Sequence, residues 1–188
     1  SMFASLSVGY NHPHILKNRD RLTEAALNKP TNSDIYSTQM AEFVDTFGRV
    51  AQPDYLPYAF FIEGGGLAVE NALKVAFDWK VRKNLMAGKK ELGTKVIHFN
   101  QAFHGRSGYT LSLTNTNDPR KTMYFPKFNW PRINNPKLSF PLSDLIIEDV
   151  LKEEKKAIDN IKSEINEHSN DIAAIIIEPI QGEGGDNH

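Results

Sequence analysis

A short apolar run, Tyr58-Ala59-Phe60-Phe61-Ile62, leads through Glu63 into three successive glycines, Gly64-Gly65-Gly66, which open directly into helical spacing over residues 67–86. This order constrains the fold more than any other feature of the chain. A continuous apolar run without alternation is the pattern of a strand buried on both faces. A strand that turns through glycine into a helix is half of a βα crossover, and chains built from such units fold as helices packed on a mainly parallel sheet. In the helical stretch Leu73, Ala76, Phe77 and Lys80 keep the spacing. The strand pattern recurs at Lys95–Phe99 and at residues 172–177, with a short helix expected over 105–113 and a charged amphipathic helix over 145–168. The predicted class is α/β. Residues 115–141 are rich in Pro and Asn and read as irregular structure, which at that length is functional or packed against something.

Upstream, Pro13 suits the first turn of a helix capped by Asn11 or His12, with Ile15, Leu16, Leu22 and Leu27 on its apolar side and Pro30 closing it. Met40, Phe43, Val44 and Phe47 follow the i, i+3, i+4, i+7 rule of a second helix capped by Ser37, and Pro53 and Pro57 break the chain after it. At 188 residues, 40% hydrophobic and 24% charged, the chain is globular, one domain or a large piece of one. Its net charge of -1, with no basic run interleaved with aromatics, argues against nucleic acid as a partner. The absence of cysteine removes disulfides, Cys-ligated zinc, iron-sulfur clusters and thiol catalysis, and fits a reducing compartment. Residues 55–62, the longest nearly uncharged stretch, fall far short of the ~20 apolar residues of a membrane span. Residues 1–10 lack a basic segment and a cleavage pattern. A soluble, cytoplasmic protein is expected. The chain begins inside an apolar segment, Ser1-Met2-Phe3, and stops in the glycine-rich Gly184-Gly185-Asp186-Asn187-His188, so it is expected to be an internal fragment, incomplete at both ends.

Three segments carry candidate chemistry. Gly64-Gly65-Gly66 between a strand and a helix is a phosphate-cradle arrangement, because glycines admit close backbone approach and the first amides of the helix point at an anion. The same glycines also suit a plain strand-to-helix turn. They match neither G-x-G-x-x-G nor a P-loop, which disfavours dinucleotides and nucleoside triphosphates but not a small phosphorylated cofactor. Phe103-His104-Gly105-Arg106 follows the expected strand at its carboxyl end, where open α/β sheets bind ligands. Phe103 can stack on a planar ring and Arg106 can clamp a carboxylate; a core Phe and a surface Arg are the plainer alternative. Gly105-Arg106-Ser107-Gly108 has its second glycine one residue too close for a G-x-S-x-G nucleophile elbow. Glu178 and Glu183 flank Pro179-Ile180-Gln181-Gly182, where two carboxylates either meet an amine or an arginine or simply face water. His12 and His14 have no third ligand nearby, so no metal site is expected. Glu153-Glu154-Lys155-Lys156 reads as a solvated helix face.

Glu63-Gly64-Gly65-Gly66-Leu67-Ala68-Val69-Glu70-Asn71-Ala72-Leu73-Lys74, then Phe103-His104-Gly105-Arg106-Ser107-Gly108, then Ile177-Glu178-Pro179-Ile180-Gln181-Gly182-Glu183-Gly184-Gly185, taken in order, resemble three motifs of class III aminotransferases, pyridoxal-phosphate enzymes of fold type I. Phe77-Asp78-Trp79-Lys80, the stretch from Gly108 to Asn115, and Gly185-Asp186-Asn187-His188 resemble the lysine ε-aminotransferase branch of that class. The resemblance implies part of the large cofactor-binding domain, spanning 1–188, in a parent enzyme that is a homodimer. It implies that Gly65 and Gly66 give amides to the cofactor phosphate, that Phe103 lies on the pyridine ring, and that Glu178 lies near the cofactor. It further implies that Arg106 holds the α-carboxylate of L-lysine, and that Glu183 is the movable glutamate that pairs with an arginine and swings away for 2-oxoglutarate. The family's Schiff-base lysine, the aspartate facing the pyridine nitrogen and that arginine match no position here. The piece alone is therefore expected to be inactive. Ornithine- or 4-aminobutyrate-type donors, or a non-catalytic phosphate-binding module, are the alternatives.

Overall fold

A computed structural model describes residues 6–30 and 34–188; the apolar start at Ser1-Met2-Phe3 lies outside the described residues. The chain divides into two compact units, the first ending at Phe60 and the second comprising Phe61–His188. In the first, α1 (Pro13–Lys17), α2 (Arg19–Leu27) and α3 (Thr38–Val50) are helical. The single helix expected after Pro13 is two, because Asn18 leaves helical geometry (φ -104°, ψ 14°) and its side-chain amide donates to the His14 carbonyl at 2.8 Å. Asn competes with helical bonding in this way through its own side chain. His12 is the cap, its Nδ1 accepting the His14 amide at 3.2 Å. Ser37 caps α3 as expected, accepting from the Met40 amide at 3.1 Å.

The strand expected at residues 58–62 does not form. Tyr58 is 94% and Phe60 73% exposed, and the run pairs with none of the three strands. Apolar patterning makes a strand only where a neighbour satisfies its backbone groups, and among the described residues this run joins no ladder.

The second unit holds α4 (Gly65–Met86), β1 (Lys95–Phe99), α5 (Gly108–Leu113), β2 (Arg132–Ile133), α6 (Asp144–Glu167) and β3 (Ile172–Ile175). The strands form one sheet in the order β2-β1-β3, parallel throughout, with Phe99 opposite Ile133 and Ile97 opposite Ile175. β2 was not anticipated: two residues inside a Pro- and Asn-rich stretch carry no periodicity. α5 starts three residues later than expected, since Gly105 takes φ 120°, outside any helix, and the Ser107 amide instead donates to Thr110 Oγ1 at 3.0 Å. β3 ends at Ile175, short of Ile177.

Successive side chains of β1 face opposite sides and sort the core into two layers. Val96 packs with Leu73, Leu113 and Trp130, joined by Val69, Phe77 and Tyr109, so α4 and α5 cover one face. Ile97 and Phe99 pack with Ile133 and Ala157, joined by Ile161 and Ile172, so α6 covers the other. Each fully buried aliphatic side chain contributes about 1.5–3 kcal/mol. β1 is thus buried on both faces from Val96 to Phe99, His98 included.

The amino ends of the strands are fixed by polar contacts. The buried Asn84 amide donates to the carbonyls of Leu92 and Asn170, both at 2.7 Å, and Asp171 accepts the amides of Gly93 at 2.9 Å and Thr94 at 3.0 Å. Burial pushes the Asp171 carboxyl upward, but those two amides and Lys95 outweigh it and hold it below the usual range. Asn84→Leu, close in size, should lower the unfolding free energy by about 2–4 kcal/mol, read from a urea midpoint, because two carbonyls lose their donor. A loss no larger than that of an exposed helical Asn→Leu change would show that water replaces the amide. Among the described residues no helix is long and apolar enough to cross a membrane.

Candidate active site

With the amino ends pinned, the carboxyl ends of β1 and β3 open onto three loops that meet one another. α4 begins at the glycines: Gly64 has φ 81° and offers no side-chain cap, and Gly65 and Gly66 form the first turn. A Cβ added at Gly65 would meet nothing within 4 Å, and one at Gly66 would meet Ser107 Oγ at 3.6 Å, so the start of the helix is open beside Gly65 and lined by the second loop beside Gly66. Those amides have no partner within the helix and suit an anion.

The second loop lies directly against this cradle. A Cβ added at Gly105 would stand 3.1 Å from the Gly66 Cα and 2.8 Å from Thr110 Oγ1, so only glycine permits the approach. Thr114 Oγ1 donates to the Gly105 carbonyl at 2.5 Å and accepts the His104 amide at 3.1 Å, which fixes the turn between Phe103 and Arg106. Phe103 is half-buried, whereas Arg106 is exposed and its guanidinium makes no ion pair among the described residues.

The third loop follows β3. Glu178 Oε2 accepts the Phe103 amide at 2.8 Å, joining two of the expected site residues. Burial raises the Glu178 pKa, and the Phe103 amide only partly offsets it. Gln181 is buried: it donates to the Asn100 carbonyl at 2.9 Å and accepts from Asn135 at 2.7 Å and Asn187 at 3.0 Å. Gly184 sits so close to the backbone after β1 that an added Cβ would fall 2.5 Å from the Gln101 carbonyl oxygen. Glu183, carried between these anchors, pairs with Lys121.

The structure therefore brings Gly65, Gly66, Phe103 and Glu178 into one connected set, with Arg106 at its open side and Glu183 on the loop anchored beside it. Sequence reasoning missed Gln181, Thr114 and Glu70. Glu70 carried a readable signal, being an acidic residue three positions before buried Leu73 and hence on the inward face of α4. Gln181 and Thr114 stood only as members of resembling stretches, since their partners lie in other elements and loops.

An anion cradle of free helix amides, an aromatic beside it and a half-buried carboxylate at the carboxyl edge of a parallel sheet fit a phosphorylated, planar cofactor. The family model for class III aminotransferases matches residues 1–188, and the chain belongs to that family of pyridoxal-phosphate-dependent enzymes with fold type I architecture. Among its relatives, the L-lysine-epsilon aminotransferase of Mycobacterium tuberculosis strain H37Rv is 51% identical over 98% of this chain and 41% of its own length. That of Streptomyces clavuligerus is 47% identical over 100% of this chain and 41% of its own length. A solved structure of the lysine aminotransferase from M. tuberculosis superposes with a TM-score of 0.91 at 50% identity, covering 100% of this chain and 43% of that one. The chain thus spans about two fifths of the length of the proteins it matches.

Proposed function

We propose that this chain is part of the large domain of an enzyme that transfers the ε-amino group of L-lysine to 2-oxoglutarate. The observation that carries the proposal is the joining of the open glycine cradle to the loop bearing Phe103 and the exposed Arg106. Pyridoxal phosphate, when bound, supplies the electron sink for bond breaking at the amine-bearing carbon. Gly65 and Gly66 hold its phosphate through backbone amides, Phe103 lies against its ring, and Glu178 lines the same wall while fixing the Phe103 backbone. Arg106 binds the α-carboxylate of lysine with its two-pronged guanidinium, which leaves the far, ε-amino end directed inward. Glu183 acts as the carboxylate that changes partners between the two substrates, and Lys121 holds it in the state seen here. The parent is a cytoplasmic homodimer, and this chain alone does not turn over.

Arg106→Ala in the full-length enzyme should lower kcat/KM for lysine by ~100-fold, equivalent to about 3 kcal/mol of charge-assisted bonding, while leaving a simple alkyl amine nearly unaffected. Arg106→Lys should recover only part of the loss, because an ammonium is a point charge. Steady-state kinetics with both amines decide the matter: an equal loss for each would remove Arg106 from the carboxylate site.

A further inference from the structure

Glu70 is a carboxylate on the second turn of α4, 8% exposed, and it makes no ion pair among the described residues. Its Oε1 alone accepts three bonds: Ser107 Oγ at 2.8 Å, the Tyr109 amide at 2.7 Å and the Thr110 amide at 3.2 Å. The two carboxylate oxygens also stand 3.7 and 3.9 Å from where a Cβ on Gly108 would lie, so the group sits over the first turn of α5. Amides at the start of a helix are unsatisfied donors, and a negative charge there is favoured by the helix dipole as well.

The placement matters because of what lies at each end of the connection. Glu70 belongs to the same rigid helix as Gly65 and Gly66, and its three donors are all within four residues of Arg106. Gly66 and Gly105 touch, but a glycine contact only permits closeness and does not fix it. The bonds to Glu70 are directional and do fix it. Thr110 Oγ1 extends the lock back into the loop by accepting the Ser107 amide, so Ser107 is held at both its backbone and its side chain.

We propose that Glu70 is a positioning residue that sets the distance between the phosphate cradle and the arm carrying Phe103 and Arg106, and thereby the fit of both cofactor ring and substrate carboxylate. This rests on the cofactor and lysine roles proposed above. Glu70 touches neither ligand; it acts through Ser107 and the α5 amides.

The test uses the full-length enzyme with Glu70→Ala, Glu70→Gln and Ser107→Ala, beside Leu73→Ala as a core variant that destabilises without touching the connection. Four quantities are read: pyridoxal phosphate dissociation constant, visible circular dichroism per bound cofactor, KM and kcat for lysine at saturating cofactor, and thermal midpoint. Glu70→Ala should weaken cofactor binding by about tenfold or more, alter the dichroism and raise KM for lysine beyond anything Leu73→Ala does at a similar loss of midpoint. Glu70→Gln should restore most of this, because its amide oxygen can accept the same three donors, and Ser107→Ala should show a smaller version of the same pattern. The proposal is overturned if Glu70→Ala, saturated with cofactor, matches the wild type in dichroism and KM and differs only in midpoint. Should Glu70→Ala fail to fold, the same comparison on Ser107→Ala decides, and a change in midpoint alone overturns it. A wild-type enzyme that binds no pyridoxal phosphate would instead refute the functional proposal on which this one rests.

Discussion

Between about pH 6.5 and pH 4 the chain is expected to lose a large part of its stability, because two histidines that become charged in the unfolded chain are held neutral in the folded one. Burial, aided by the Arg132 guanidinium, lowers the His98 pKa to about 4 against the opposing bond to the Val96 carbonyl. Burial alone lowers His104 to about 4. The geometry explains the neutrality of His98: Arg132 Nε donates to its Nε2 at 3.0 Å, leaving the ring proton on Nδ1, 3.3 Å from the Val96 carbonyl. His104 Nε2 is buried with no hydrogen-bond partner among the described residues, so nothing described there rewards a charge.

Both folded pKa values lie below the unfolded one, so the unfolded state takes up protons first as the pH falls. Their contribution is fully present above pH 6.5 and is lost progressively down to about 4, worth about 3 kcal/mol for each histidine. Against a typical total of about 5–15 kcal/mol this is a large fraction. Glu178 works in the opposite sense, since its folded pKa is raised and protonation relieves its burial. Asp171, with a lowered pKa, adds to the loss only at lower pH. Urea midpoints at about pH 7, 5.5 and 4 measure the slope, and His104→Leu should flatten it. A midpoint that stays level across that range would contradict the buried, neutral state of both rings.

Gly105→Ala is expected to have a large effect for a single added methyl group, because backbone strain and close contact act together there. At φ 120° a side chain is strained wherever it is placed, and this one would also fall 2.8 Å from Thr110 Oγ1 and 3.1 Å from the Gly66 Cα. Strain of about 1–3 kcal/mol and overpacking of similar size together lower the thermal midpoint by roughly 5–20 °C. The methyl also pushes the second loop off the cradle, so cofactor affinity should fall with stability. Gly65→Asp separates the two effects. Its side chain enters open space, so the midpoint should hold, while a carboxylate beside the phosphate should lower pyridoxal phosphate affinity at least tenfold. Unchanged affinity in Gly65→Asp would mean that these amides do not face the phosphate.

The elements that were readable in the sequence are those whose patterns are local. α3, α4 and α6 show helical spacing, β3 lies in an unbroken apolar run and β1 in a short, mostly apolar one, so the α/β class follows from them. The three motifs, one opening α4 and two in loops, were also readable, because glycines and a Phe-His-Gly-Arg order are visible without any partner. What escaped depends on a partner far away. Residues 58–62 carry a stronger apolar signal than β1 yet among the described residues join no ladder and stay exposed, whereas Arg132-Ile133 carry almost no signal yet pair with His98 and Phe99. Asn18 divides a helix by one side-chain bond that spacing does not reveal. Glu70, Gln181 and Thr114 are polar residues whose worth lies in donors and acceptors supplied by other segments.

The central position of β1 has a consequence for synthesis. Its bonds to one neighbour arise early, since His98 and Arg132 are 34 residues apart, but those to the other do not: Thr94 meets Asp171 across 77 residues. At ribosomal speeds of about 5–20 residues per second, β1 waits about 4–15 s after it is made for β3 to be translated. Throughout that interval Val96 and Ile97 belong to an unfinished sheet, with one row of backbone donors and acceptors open to any passing strand. The nascent chain is therefore most vulnerable to mispairing, and most in need of a holding chaperone, while α6 is being translated.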